Sequence, residues 1–352
     1  MKFAFASDLH LSNEEKEKWS IDVLEEFLLK CTEIGIELVF FGGDLFDDFN
    51  QIPFLLERFN NIIDNSGIKN FYFLPGNHDL MYSNSRKIED FEFSKKVSIK
   101  SKVPFEIEKI NNYEFLFIPF QRDLNNVRNM LKQQKESEKR IVFGHGSLID
   151  FNYSNEEDNS FFEKSFFNYL EADFVFLGHI HKHIQSENIF YPGSMRLWRK
   201  GEEGKHGFLV FNGENENVEF ISLKKGGEYI ELKVIVEGEN FDIESLKNVV
   251  NDLIKNTWIV FLLEGFVYES RQLDKVKNYL IENFGKDFRI EFEENNLINS
   301  NISLMHPLFN IFMDKWKEVY NNIVDEKEKE VYRLARTYFA KELAEFIQGN
   351  EK

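Results

Sequence analysis

Apolar residues along this chain recur with two periods, and the alternation between them outlines an architecture. The short apolar runs Phe3–Ala6, Leu38–Phe41, Phe71–Leu74, Phe115–Ile118, Ile141–Phe143 and Phe174–Leu177 have the length and composition of buried strands. Between the first two, Ile21, Leu24, Phe27, Leu28 and Cys31 recur at helical spacing; after the second, Leu55, Phe59, Ile62 and Ile63 do the same. Strands alternating with helices over residues 1–224 predict a largely parallel, layered α/β core.

Lys224-Lys225-Gly226-Gly227 reads as a boundary. Beyond it, Ile230, Leu232, Val234 and Val236 alternate at period two, and Ile243, Leu246, Val249, Val250 and Leu253 return to helical spacing. A strand over Ile259–Val267, a helix through Leu273, Val276, Leu280 and Ile281, and a strand through Phe288, Ile290 and Phe292 follow. This is a small βαββ or βαβαβ module. After the polar stretch Glu293–Ser303, Pro307 opens the first of two amphipathic helices. The expected division is therefore 1–224, 225–300 and 301–352.

Composition narrows the class. Of 352 residues, 42% are hydrophobic and 30% charged, which suits a soluble protein with a real core. Phe is unusually abundant, at 39, and is expected to fill core positions that Leu or Val commonly take. The single cysteine, Cys31, excludes an internal disulfide framework and any thiolate metal cluster. Asp8 comes too early for the apolar region of a signal peptide. The longest apolar runs, such as Trp258–Leu263, fall far short of the ~20 residues that cross a bilayer. A soluble, cytoplasmic protein with no membrane association is expected. The net charge of −18 means that any attraction to a phosphate-bearing substrate has to come from local cations.

Five polar motifs each directly follow an apolar run: Asp8-Leu9-His10, Gly42-Gly43-Asp44-Leu45-Phe46-Asp47, Gly76-Asn77-His78-Asp79, Gly144-His145-Gly146 and Gly178-His179-Ile180-His181. The carboxyl ends of strands in open α/β sheets form the crevice where ligands bind, so these polar residues should converge on one edge. Glycines beside them permit tight turns and close backbone approach. A histidine after a strand is ordinarily hydrogen-bonded structure, but five of the eight histidines fall in these motifs. Imidazole, carboxylate and amide oxygen without sulfur suit Mn, Fe or Zn better than Mg or Ca. Seven such ligands are too many for one ion. Two ions sharing a bridging carboxylate can clamp a phosphoryl group and lower the pKa of a bound water.

The motif series resembles the calcineurin-like metallophosphoesterase superfamily. That resemblance covers about the first 200 residues. It implies a central β-sandwich flanked by helices and two divalent ions, with Mn(II) expected and Fe or Zn as alternatives. It further implies Asp8, His10, Asp44 and His181 on one ion and Asp44, Asn77, His145 and His179 on the other, with Asp44 bridging. His78 would act as general acid or hydrogen-bond donor at the leaving-group oxygen, oriented by Asp47, while Asp79 would fix the loop.

Within the superfamily, Tyr191-Pro192-Gly193-Ser194-Met195-Arg196-Leu197 followed by Lys205-His206-Gly207-Phe208 resembles the SbcD-type DNA-repair nuclease of the meiotic-recombination-eleven family. The resemblance implies a DNA exonuclease and endonuclease. Residues 225–300 would be its DNA-capping domain. Residues 301–352 would form a helical hairpin that docks an SbcC-type coiled-coil ATPase. A homodimer through the Leu55–Ile63 helix is also implied. Arg196, Arg199 and Lys200 form a basic cluster where a phosphate backbone would approach, and His183 and His206 are expected in supporting contacts. A small-molecule or cyclic-nucleotide phosphodiesterase would need neither capping domain nor partner helices. A non-catalytic scaffold would have no reason to keep the full ligand set.

Overall fold

The computed structural model describes residues 1–14, 18–80, 86–121, 124–130, 138–149, 161–237, 240–267, 270–299 and 307–346, the last range excepting 326, 330, 333, 334, 337, 340, 341, 344 and 345. Two compact units divide the chain, Met1–Glu228 and Tyr229–Lys352.

In chain order the first unit begins β1 (Lys2–Ala6), α1 (Ser20–Glu33), β2 (Leu38–Phe41), α2 (Ile52–Asn65), β3 (Asn70–Phe73) and β4 (Val97–Ile99). It continues β5 (Glu106–Ile110), β6 (Tyr113–Ile118), α3 (Asn125–Met130), β7 (Lys139–His145), β8 (Ser147–Leu148), β9 (Phe161–Phe162) and α4 (Lys164–Tyr169). β10 (Phe174–Gly178), β11 (Ile184–Ser186), β12 (Ile189–Tyr191), β13 (Gly207–Asn212) and β14 (Asn217–Ser222) complete it. The strands form two six-stranded sheets, β14-β13-β1-β2-β3-β4 and β11-β12-β10-β7-β6-β5. Both are parallel at the centre, and antiparallel strands (β13 and β14; β5 and β11) flank that centre. The core is thus mixed, and parallel only where the motif-bearing strands lie.

Phenylalanine fills the space between the sheets. Phe3, Phe5, Phe40 and Phe211 from one sheet meet Phe115, Phe117, Phe143, Phe176 and Phe190 from the other, all buried. Phe40 stacks on Phe143 at 4.1 Å between ring centroids. Side chains alternate across a strand, so Phe3 and Phe5 enter this layer while Ala4 and Ala6 face the helical side with α1 and α2. The second sheet's other face is covered by Val127 of α3 and by Phe166 and Phe167 of α4.

This packing corrects one sequence reading. Leu55, Phe59 and Ile63 of α2 are buried in the chain's own core, with Ile62 packed against it, so the face assigned to a homodimer is already occupied. What α2 presents outward is Phe54, 75% exposed.

The second unit holds β15 (Tyr229–Glu237), α5 (Ile243–Val250), β16 (Trp258–Val267), α6 (Ser270–Phe284) and β17 (Arg289–Asn299), a βαβαβ arrangement with a three-stranded parallel sheet. α7 (Pro307–Tyr320) follows, with further helical residues between 327 and 346. Phe312 stacks on Phe339 at 4.0 Å, and the Trp316 indole donates to the Tyr332 carbonyl at 2.6 Å. Leu308, Ile311, Val319, Val331, Tyr338 and Phe346 remain exposed. Leu334, Ile347 and the side chain of Phe309, apolar positions in the two expected amphipathic helices, lie outside the described residues. No described helix is long and apolar enough to cross a membrane.

Candidate metal centre

Five strand ends deliver the polar motifs to one edge of the sandwich. β1 leads into Asp8 and His10, β2 into Asp44, β3 into Asn77 and His78, β7 ends on His145, and β10 leads into His179 and His181. Three groups of ligand atoms come within reach of a common ion: Asp8, His10 and His181; Asp44, His145 and His179; and His10, Asp44 and His78. Asp8, His10, Asp44 and His145 are buried, forming a floor, while Asn77, His78, His179 and His181 are half-buried at the rim.

The backbone adopts unusual conformations to do this. Asp8 (φ 56°), His10 (φ 49°), Asp44 (φ 49°) and His179 (φ 97°) all occupy the left-handed region. Such residues cost roughly 1–3 kcal/mol each and persist where surrounding structure over-determines them. Here the over-determination is visible. Asp8 N donates to Gly43 O, and His10 N and Leu11 N donate to Asp44 O and Leu45 O. His179 N donates to both carboxylate oxygens of Asp8, at 3.1 and 3.0 Å. The buried carboxyl of Asp79 accepts from Leu45 N, Phe46 N and Gly76 N, which ties the β2 and β3 loops together. Burial, then the nearby Asp44 charge, pushes the Asp79 pKa up to about 7. A Cβ at Gly43 or Gly76 would collide with the His145 ring, so glycine is what lets these loops close over it.

Hydrogen bonds on the outer nitrogens aim the histidines. His145 Nδ1 lies 2.8 Å from the Gly42 carbonyl, which can only accept, so Nδ1 carries the proton and Nε2 faces the cluster. His181 Nδ1 sits 2.5 Å from Glu202 Oε1, leaving its Nε2 3.2 Å from His10 Nε2. His145 Nε2 lies 3.2 Å from Asn77 Oδ1 and 3.4 Å from Asp44 Oδ2, and Asn77 Oδ1 is also 3.1 Å from His179 Nδ1. Carboxylate, amide and imidazole ligand atoms thus converge within 3.1–3.4 Å of one another. An oxygen and imidazole donor set without sulfur, its outer nitrogens held by carbonyl or carboxylate, fits divalent transition-metal ions.

For His10, Asp44, His145 and His181 burial disfavours the charged form, and partners decide the outcome. Burial alone would lower His145, yet Asp44 beside it raises the imidazole to about 9. The Asp44 carboxyl, which burial would raise, is held well below the usual carboxylate range by His145. His10 is lowered by burial and by His181. His181 and Glu202 resist burial through each other, the imidazole rising and the carboxyl falling.

Two sequence readings change here. His78 Nδ1 contacts the main-chain carbonyl of Asp47 at 2.7 Å, while the Asp47 carboxylate faces His10 Nδ1 at 3.5 Å, so the orienting group is the backbone. Arg196 is fully buried, donating to Leu9 O and His10 O, because these carbonyls in the left-handed loop need a donor. It is therefore not part of a surface basic cluster; Arg199 and Lys200 remain exposed. Trp198 and Glu202 had drawn no attention, yet the Trp198 indole lies parallel to the His10 ring at 3.9 Å. No motif or spacing marks either one. His183 and His206 have supporting contacts, to Tyr191 O and to Ser194.

A profile of the calcineurin-like phosphoesterase family matches residues 1–183. No curated protein matches the chain. Among solved structures, an archaeal phosphodiesterase is 15% identical, with 63% of this chain and 100% of that one covered at a TM-score of 0.37. The purple acid phosphatase of yellow lupin (Lupinus luteus) seeds is 12% identical, covering 65% of this chain and 52% of its own, at 0.43. A dimetal phosphatase from Danio rerio is 13% identical, covering 60% and 91%, at 0.35.

Proposed function

This chain belongs to the calcineurin-like phosphoesterase family, and from that premise we propose that it is a dinuclear metal-dependent phosphodiesterase acting on DNA, the nuclease subunit of an SbcCD-like complex. The observation carrying the hydrolase reading is the convergence of ligand atoms from Asp44, Asn77, His145 and His179, beside a second group of Asp8, His10 and His181. In this reading Asp44 bridges, with Asp8, His10 and His181 on one side and Asn77, His145 and His179 on the other. Bound there, two ions, Mn(II) in our reading, would polarise the phosphoryl group and acidify a coordinated water.

The chain's own residues supply the rest. His78, its Nδ1 held by the Asp47 carbonyl, would present Nε2 to the leaving oxygen as proton or hydrogen-bond donor. Asn77, His78, His179 and His181 are the half-buried members that substrate would meet, and the Phe-filled layer lies between the sheets that carry them.

Support for DNA as substrate comes from the second unit. Its βαβαβ module matches a capping domain in position and size, and the exposed Leu308, Ile311, Val331, Tyr338 and Phe346 fit a helix-docking surface for an SbcC-type coiled-coil ATPase. Phe54 is the apolar residue α2 leaves for a homodimer. Burial of Arg196 favours a second reading, a small-molecule or cyclic-nucleotide phosphodiesterase, because it thins the basic surface of a chain with net charge −18. Cleavage of linear duplex DNA with Mn(II), run beside bis-p-nitrophenyl phosphate, separates the two. Hydrolysis of the small diester with intact DNA, even with a cognate ATPase present, selects the second.

A further inference from the structure

One carboxylate outside the ligand set contacts His181 directly and is linked to His10 through the Trp198 ring. Glu202 places Oε1 2.5 Å from His181 Nδ1, and its Oε2 accepts from Trp198 N at 2.8 Å and Arg199 N at 3.0 Å. The turn it caps holds the Trp198 indole flat on His10, centroids 3.9 Å apart and planes within 3°. The same indole meets the rings of His78 and His181, each at 5.3 Å, and the Arg199 guanidinium covers it at 4.2 Å. Glu202 is itself largely buried, its side chain 13% exposed. On the other side of the centre His145 is oriented by the Gly42 carbonyl.

We propose that Glu202 is a positioning residue for the ion held by Asp8, His10 and His181: it fixes His181 with Nδ1 protonated and Nε2 turned inward, and through Trp198 it clamps the plane of His10. This rests on the dinuclear reading above. A carboxylate on the outer nitrogen of a ligating histidine fixes its tautomer and raises its basicity, and removing such a partner typically weakens metal binding roughly 10- to 100-fold. The consequence is asymmetric. Loss of Glu202 weakens one ion of the pair and leaves the ion at Asn77, His145 and His179 as it was. A purely structural cap on the 198–202 turn would lower thermal stability with no selectivity between ions.

The test is calorimetric titration of the full chain with Mn(II), comparing wild type, Glu202→Ala and Glu202→Gln, with thermal unfolding measured on each. Glu202→Gln keeps the shape and safeguards against a misfolded alanine variant. The expected result is two Mn(II) in wild type, with one site weakened roughly 10- to 100-fold in the variants and the other unchanged. Histidine-selective 15N NMR of the metal-free chain should show His181 losing its fixed Nδ1–H form in the variants. Two unaltered Mn(II) sites in a folded variant, or an unaltered His181 signal, would overturn the positioning role while sparing the dinuclear centre. A wild-type chain that takes up no Mn(II) would overturn both.

Discussion

His78 Nδ1 rests 2.7 Å from the main-chain carbonyl of Asp47, and the carboxylate of the same residue turns instead toward His10. The two ends of Asp47 therefore serve different histidines. Replacing His78 with Ser should leave two metals per chain and cut diester hydrolysis by ~10²–10⁴-fold, the usual contribution of a general acid. Asp47→Asn keeps the carbonyl, so it should spare the proton-transfer step and act on metal occupancy through His10. A hydrolytic loss in Asp47→Asn as large as in His78→Ser, at full metal content, would reinstate the carboxylate as the orienting group.

Asp44 groups with ligand atoms from both halves of the centre, with His10 on one side and with His145 and His179 on the other. One of its oxygens accepts from His78 N at 2.9 Å and the other lies 3.4 Å from His145 Nε2. Asp44→Ala should empty or cripple both sites, whereas His145→Ala should cripple one. Metal analysis after dialysis distinguishes them, and an Asp44→Ala chain still holding two ions would remove the bridge.

His206 is buried and held neutral, its pKa pushed down to about 4, first by burial. An unfolded histidine titrates near 6.5. Between these values the unfolded chain takes up a proton that the folded chain refuses, so stability falls as pH drops from about 6.5 to about 4, by up to about 3 kcal/mol. His206→Gln cannot titrate and should flatten that part of the profile. Urea midpoints of the metal-free chain at the two ends of the window will show it; equal losses in wild type and variant would assign the effect elsewhere.

Exposed Arg199 and Lys200 should contribute to DNA binding, each Ala substitution reducing the slope of log affinity against log salt by roughly 1. Arg196→Ala should act through folding. Its removal leaves two buried carbonyls, Leu9 O and His10 O, without their donor, at about 1–3 kcal/mol for each unsatisfied group. A folded Arg196→Ala chain with wild-type stability and weakened DNA binding would return Arg196 to the substrate surface.

Ending the chain before Pro307 should leave the first unit folded, metal-binding and able to hydrolyse a small diester, while abolishing capture of an SbcC-type ATPase. Unfolding of the first unit on truncation, followed by chymotryptic digestion, would make the C-terminal helices structural and remove the main support for that partner.

The strands carrying the motifs were legible because each is an apolar run ending in a polar turn; β2, Leu38–Phe41, agrees to the residue. β5 and β14 were not singled out, because their apolar residues are interrupted by polar ones and each is placed by an antiparallel pairing with its neighbour in the chain; β13 carries the run Phe208–Phe211, but its place beside β1 depends on a pairing about 200 positions away. Residues of the centre stood out as motifs at strand ends. Their supports did not. Arg196 reaches carbonyls 187 and 186 positions away, and whether a guanidinium is buried depends on such partners. Glu202 has no spacing relative to His181 that differs from any surface glutamate. Asp47 stood out by its place three residues after Asp44, but sequence names a residue and not which of its oxygens meets His78 Nδ1, here the main-chain one.

Four left-handed residues at roughly 1–3 kcal/mol each weigh heavily against a net stability of about 5–15 kcal/mol for a folded domain. The aromatic layer between the sheets underwrites that strain, and β7 connects the two directly, carrying Phe143 into the layer and His145 into the centre. Weakening the layer would thus let the loops relax toward ordinary backbone before the sheets separate. Substitutions remote from the metals, among phenylalanines that touch no substrate, would surface first as lost catalysis in a protein that still appears folded.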